Sequence, residues 1–140
     1  MAYDVFDIAS YIINYCCERN IKISNLKLQK LLYFTQTLFL ISNRQVCFDA
    51  VIEAWDYGPV VPEVYRKYKM YGSMSIPEEN DYVNSIDEED QDKINGMLSK
   101  MANMDAFDLV RITHKQDPWI ESYNRVDRTI TPEQIERFFN

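Results

Sequence analysis

Hydrophobic positions recur at three- and four-residue intervals through most of the chain, and strict alternation is confined to one short stretch. Val5, Ile8, Ala9, Ile12, Ile13 and Cys16 make one apolar face, which predicts a first helix over residues 4–19 with Asp4 as its cap. Ile21-Lys22-Ile23 reads as an extended link, and Ser24 caps a second helix over residues 25–43. That helix is apolar nearly all round, from Leu26 and Leu28 through Leu31, Leu32, Tyr33 and Phe34 to Leu40 and Ile41. A helix without a wet face belongs at the centre of a fold. Lys27 and Lys30, one turn apart on it, are expected to reach the rim along apolar surface or to pair with an acid. The functional alternative is a small basic grip for an acidic group.

Alternation appears at residues 50–56, where Ile52, Ala54 and Asp56 interleave with Val51, Glu53 and Trp55. This predicts a strand in a small β-hairpin or arm around residues 45–57, with 45–48 as the candidate partner strand. Gly58-Pro59 then turns the chain, because glycine accepts positive φ and proline pushes its predecessor out of the α region. Pro62 suits the first turn of a helix to residue 71, with Val64, Tyr65, Tyr68 and Tyr71 at helical spacing and Gly72 behind it. Residues 73–86 read as loop, with a strand expected at Tyr82-Val83. Asp87, with Asp90 three residues on, is expected to cap a helix over 87–103. Asp105 and Asp108 open the next helix, which breaks between Thr113 and Trp119. Asp117 as cap and Pro118 behind it open another helix to about residue 124. Thr131-Pro132-Glu133-Gln134 carries a capping box for a last helix docked by Ile135, Phe138 and Phe139. The expected fold is mainly α: a single compact domain over residues 1–140, with about six helices and the small β-arm.

Composition supports this picture. Three glycines in 140 residues are few for a many-stranded β fold, and 46% apolar residues is a globular content. Charge adds an asymmetry. Residues 1–72 carry eight Lys/Arg against seven Asp/Glu, while residues 73–140 carry seven against fifteen, so the net −7 lies entirely in the second half. A field of that sign repels nucleic acid; it keeps the protein soluble or attracts a basic protein partner. Cys16, Cys17 and Cys47 are odd in number and lack framework spacing, so they read as buried small hydrophobes rather than disulfides. The opening MAYDVFDIA lacks a basic n-region, and the apolar run 38–41 is too short to span a membrane. Together these point to the reducing cytoplasm.

No enzyme motif is present: there is no Walker loop, no G-x-G-x-x-G and no G-x-S-x-G. The acidic segment 78–92 lacks calcium-loop order, and the lone His114 has no ready orienting group, since Asp117 is expected to cap a helix. With one histidine a zinc site is not expected, so catalytic and metal-ligating residues are expected to be none. Two aromatic-proline knots remain: Trp55-Asp56-Tyr57-Gly58-Pro59, and the stretch from His114 to Trp119. Each is either a packing corner or a binding surface, because Trp and Tyr dominate interface hot spots.

YDVFDIASYIINYC, ISNLKLQKLLYFTQ, IEAWDYGPVVPEVYRKYKMYG and LVRITHKQDPW, in that order, resemble the Panacea domain. This is the SocA-like antitoxin family, long labelled a domain of unknown function or a phage-associated protein. The resemblance runs over almost the whole chain and implies an antitoxin that neutralises a toxin encoded nearby, by direct protein contact and without a cofactor. It brings no catalytic residues with it. Trp55, Tyr57, Gly58, Pro59, Tyr65, His114 and Trp119 match its motifs and are the candidate partner-binding residues; Lys27 and Lys30 match as well. Three alternatives stay open. One is a phage-encoded counter-defence or regulatory protein. Another is a nucleic-acid-binding regulator using Arg66, Lys67 and Lys69. The third is an adaptor that delivers a partner to a protease.

Overall fold

The computed structural model describes residues 2–140. The described residues form seven α-helices and three short strands, so the fold is mainly α, as expected; each of the seven falls where a helix was read in the chain, against the overall figure of about six. Helix α1 spans Val5–Glu18, with the Asp4 side chain accepting from the Phe6 N–H. Helix α2 spans Asn25–Asn43, capped by Ser24 through the Lys27 N–H. It packs against α1, against residues 58–60 and against the helices Pro62–Tyr68, Glu88–Met101, Ala106–His114 and Pro132–Phe139. Leu28, Leu31, Leu32 and Tyr33 are wholly buried, which places α2 on the axis of the core.

Strand β1 (Ile52–Trp55) lies in the middle of a three-stranded antiparallel sheet in the order β2-β1-β3, with β2 at Gly58–Val60 and β3 at Thr129–Ile130. The hairpin partner of β1 is therefore Gly58–Val60, which includes the two residues expected to turn the chain, and not residues 45–48. Trp55 pairs with Gly58, leaving Asp56 and Tyr57 as the turn, and the positive φ of 103° falls on Gly58. Glycine supplies that conformation without strain. Residues 47–48 instead dock on the Gln36 side chain and on Tyr3, whose N–H donates to Cys47 O. The side chain of a central helix takes the place of the expected sister strand.

Helix α3 (Pro62–Tyr68) tightens into a 3₁₀ turn, Lys69–Tyr71, before Gly72. Residues 82–83 form no strand. Their loop is held instead through Glu79, whose N–H and C=O bond to the Asn14 side chain at 2.8 and 3.0 Å. Helix α4 spans Glu88–Met101, α5 Ala106–His114, α6 Asp117–Tyr123 and α7 Pro132–Phe139. Two expected caps differ. Asp87 stands at the cap of α4 without a side-chain bond, and Asp90 instead accepts from Tyr3 OH at 2.5 Å. Asp117 is already helical; Gln116 occupies the cap position of α6, its Oε1 taken by Tyr33 OH. The Thr131–Gln134 capping box of α7 forms as expected. Cys16 and Cys47 are buried and Cys17 half-buried, all three as free thiols.

Candidate functional site

The two aromatic-proline knots, about sixty residues apart in sequence, meet in space at the β1–β2 turn. His114 Nε2 lies 2.9 Å from Asp56 O, and because a carbonyl only accepts, Nε2 carries the proton. Trp119 Nε1 donates to Trp55 O at 2.8 Å. Tyr123 OH donates to Asp56 Oδ1 at 2.6 Å. The His114, Trp119 and Tyr123 rings stack in series, at centroid separations of 4.1 and 4.7 Å. Arg128 lies over the Tyr123 ring and 3.8 Å from the Asp56 carboxylate. Three rings and a guanidinium thus hold one two-residue turn. The role is positional: the His114 ring is committed to a backbone carbonyl and to Trp119, while Asp117, once weighed as its orienting group, is exposed at the start of α6.

Beneath the turn lies Lys30, with no exposed surface. Its Nζ donates to Pro59 O at 2.9 Å, and no carboxylate pairs with it among the described residues. This corrects the expectation that Lys30 reaches the rim or meets an acid. Burial lowers its ammonium from the ordinary 10.5 to about 7. The reason for its place is the edge of the sheet. Ala54 N donates to Arg128 O on the β3 side, so Pro59 opposite turns its backbone away from β1. Proline has no N–H to waste there, and its carbonyl still needs a donor. Lys30 supplies it, and Gln29 Oε1 accepts from Val61 N at 2.9 Å on the same edge. A Cβ on Gly58 would stand 2.7 Å from Lys30 Cε and 2.8 Å from Thr113 Oγ1, so the position admits only glycine in this packing. Lys27, half-exposed, donates to Ala102 O at 2.8 Å.

On its open side the turn forms one wall of a groove of 530 Å³, with Trp55, Tyr57 and Tyr65 as its aromatic lining. Trp55 and Tyr65 meet edge to face at 5.0 Å, and Trp55 Nε1 donates to Glu53 Oε1. Tyr57 is 61% exposed and touches Phe107 by its edge. Of the seven expected partner-binding residues, then, three face the groove. Gly58 and Pro59 are buried under the turn, and His114 and Trp119 brace it from behind, so these four shape the surface rather than offering side chains to it. Asp56 belongs to the first knot but was not among the expected partner-binding residues, and Tyr123 and Arg128 were not anticipated at all. Nothing local marks Tyr123 and Arg128; only the fold brings them back to Asp56.

Residues 28–120 match the family described as Antitoxin SocA-like, Panacea domain. The chain belongs to the SocA-like Panacea family. It is 31% identical over 128 residues to the Antitoxin SocA of Caulobacter vibrioides (strain NA1000 / CB15N), a match that covers 83% of this chain and 68% of that one. No solved structure matches the chain. The Panacea match contains Lys30, the whole hairpin and both knots, while Tyr123 and Arg128 lie beyond it. Among the described residues no helix is long and apolar enough to cross a membrane.

Proposed function

We propose that this chain is an antitoxin that neutralises a toxin encoded nearby by direct protein contact, without catalysis of its own. Membership of the SocA-like family carries the reading. The groove beside the hairpin turn is the contact face: Trp55, Tyr57 and Tyr65 supply aromatic anchors, and His114 and Trp119 keep the turn in place. Rigid aromatic surface of this kind loses little entropy on binding and is where interface energy concentrates. The test is co-expression with the neighbouring open reading frame. Rescue of growth together with co-purification is the expected result; a toxic neighbour that this chain neither binds nor silences would overturn the reading. The partner's half-life during rescue separates blocking, which leaves it unchanged, from delivery to a protease, which shortens it.

A further inference from the structure

Resting on that reading, we propose that the groove takes a segment of the partner in which an apolar side chain stands beside carboxylates. The floor of the groove defines the first half of this. Asn25 and Gln29 are buried there, but their polar atoms are engaged: Asn25 Nδ2 donates to Tyr65 O, Gln29 Nε2 to Asn25 Oδ1, and Gln29 Oε1 accepts from Val61 N. Apart from its charged residues and Gly72-Ser73 at one end, the groove is otherwise lined by Leu26, Val60 and the three aromatic rings. A volume of 530 Å³ lies in the range of pockets that hold a compact apolar group. The neighbouring segment also exposes Met70 and Met74, at 80% and 72%, a flexible apolar fringe that adapts to a bound side chain.

The charge around the groove defines the second half. Three charged residues line it: Asp56, Lys69 and Arg128. Asp56 is matched within the chain, by Tyr123 OH at 2.6 Å and Arg128 at 3.8 Å. Lys69 has no carboxylate partner among the described residues, and exposed Arg66 stands three residues before it on α3. The uncompensated charge is therefore positive, in a chain whose net charge is −7. A basic segment entering here would meet Lys69 and find no free carboxylate. An acidic one finds the Lys69 ammonium unpaired at the rim of an apolar slot, and this local complementarity selects partners by sign.

The experiment is an NMR titration of the purified, isotope-labelled full chain, following the Trp55 indole N–H and the Tyr65 and Ser73 amides. Three capped heptapeptides serve as probes: a central Leu flanked by Asp, the same with Lys for Asp, and the Asp peptide with Ala for Leu. The Asp–Leu probe should shift the groove signals and bind about tenfold tighter than either control. Lys69→Glu, at an exposed position, should weaken it by a similar factor without moving the thermal midpoint. Equal or tighter binding of the Lys probe or of the Ala-centred probe would overturn the proposal. So would shifts confined to a second cleft, lined by Asp7, Glu78, Glu79 and Asp81 on another face, or no shift at millimolar peptide. Concentration-dependent groove shifts without peptide would assign the groove to a second copy of this chain, with the same consequence. No toxin enters this measurement. If it fails while groove substitutions still abolish growth rescue, the neutralising face stands and only its chemistry falls. If it succeeds while rescue is absent, the groove is a peptide site without an antitoxin role.

Discussion

Lys30 shows how far one residue can depart from its local pattern. On an apolar helix a lysine is expected to run its stem to the surface, and Lys27 does so in part. Lys30 stays inside because the outer edge of β2 leaves the Pro59 carbonyl without a donor, and that demand arises twenty-nine residues away. The consequence is measurable. Its folded value of about 7 lies below the ordinary 10.5, so between these values the unfolded chain holds the extra proton and stability rises with pH. The slope approaches ~1.4 kcal/mol per pH unit at most. Cys16 and Cys47, whose thiols burial pushes up from the ordinary 9.0, work in the opposite sense once unfolded thiols ionise. Urea midpoints measured from pH 7 to about 8.5 should therefore climb in the native protein and flatten in Lys30→Met. A slope that survives in Lys30→Met would assign it to another group. Gly58→Ala, which combines positive φ with contacts under 3 Å on Lys30 and Thr113, should cost roughly 3 kcal/mol in chemical denaturation.

Among the elements, α2 is a helix whose polar side chains serve as backbone partners for whatever crosses it. Asn25 reaches Tyr65 O, Gln29 reaches Val61 N, Lys30 reaches Pro59 O, and Gln36 takes both N–H groups and one carbonyl of residues 47–48. Gln36→Leu keeps the volume but strands three buried backbone groups, so it should destabilise by ~3 kcal/mol or more. Hydrogen exchange should then rise first at Cys47 and Phe48; uniform loss across the molecule would show that the segment is not held separately. The hairpin turn is braced in the same way. Trp119→Phe keeps the stack between His114 and Tyr123 but removes the donor to Trp55 O, and should cost ~1 kcal/mol with faster exchange in β1 and β2 and unchanged helical dichroism. What was legible in the chain follows the same division. The helices and the Asp4, Ser24, Asp105 and Thr131 caps were readable because capping and amphipathic period are local. The pairing of β1 was not, because alternation marks a strand without naming its neighbour; β3 has two residues and no pattern of its own. At the site, the two knots stood out as rigid aromatic corners from their rings and prolines. Their union was not, since it rests on contacts between residues 55–56 and residues 114–128.

Across the whole molecule, the separation of bracing from display is what makes the proposed face testable. The turn is secured from inside by Lys30, Gly58 and Thr113 and from behind by His114, Trp119 and Tyr123, so its outward residue carries little of the fold. That residue is Tyr57, 61% exposed, its ring edge to face with Phe107, which is itself half exposed. Trp55, two residues earlier, is half-buried against Tyr65 and bonded to Glu53. Replacing both by alanine, one at a time, should give the same loss of rescue with different effects on stability. Tyr57→Ala should leave the denaturation midpoint within about 0.5 kcal/mol of native. If the groove is the contact face, it should nonetheless weaken the partner complex by ~2 kcal/mol, roughly thirtyfold in Kd, and abolish growth rescue. Trp55→Ala should lose ~2–3 kcal/mol of stability and lose rescue with it, so it reports on the fold and on the face together. Calorimetry of each variant beside the rescue assay separates the two. A stable Tyr57→Ala that still neutralises at native strength would move the interface away from the turn, and the acidic surface of residues 73–140 would become the face to test next.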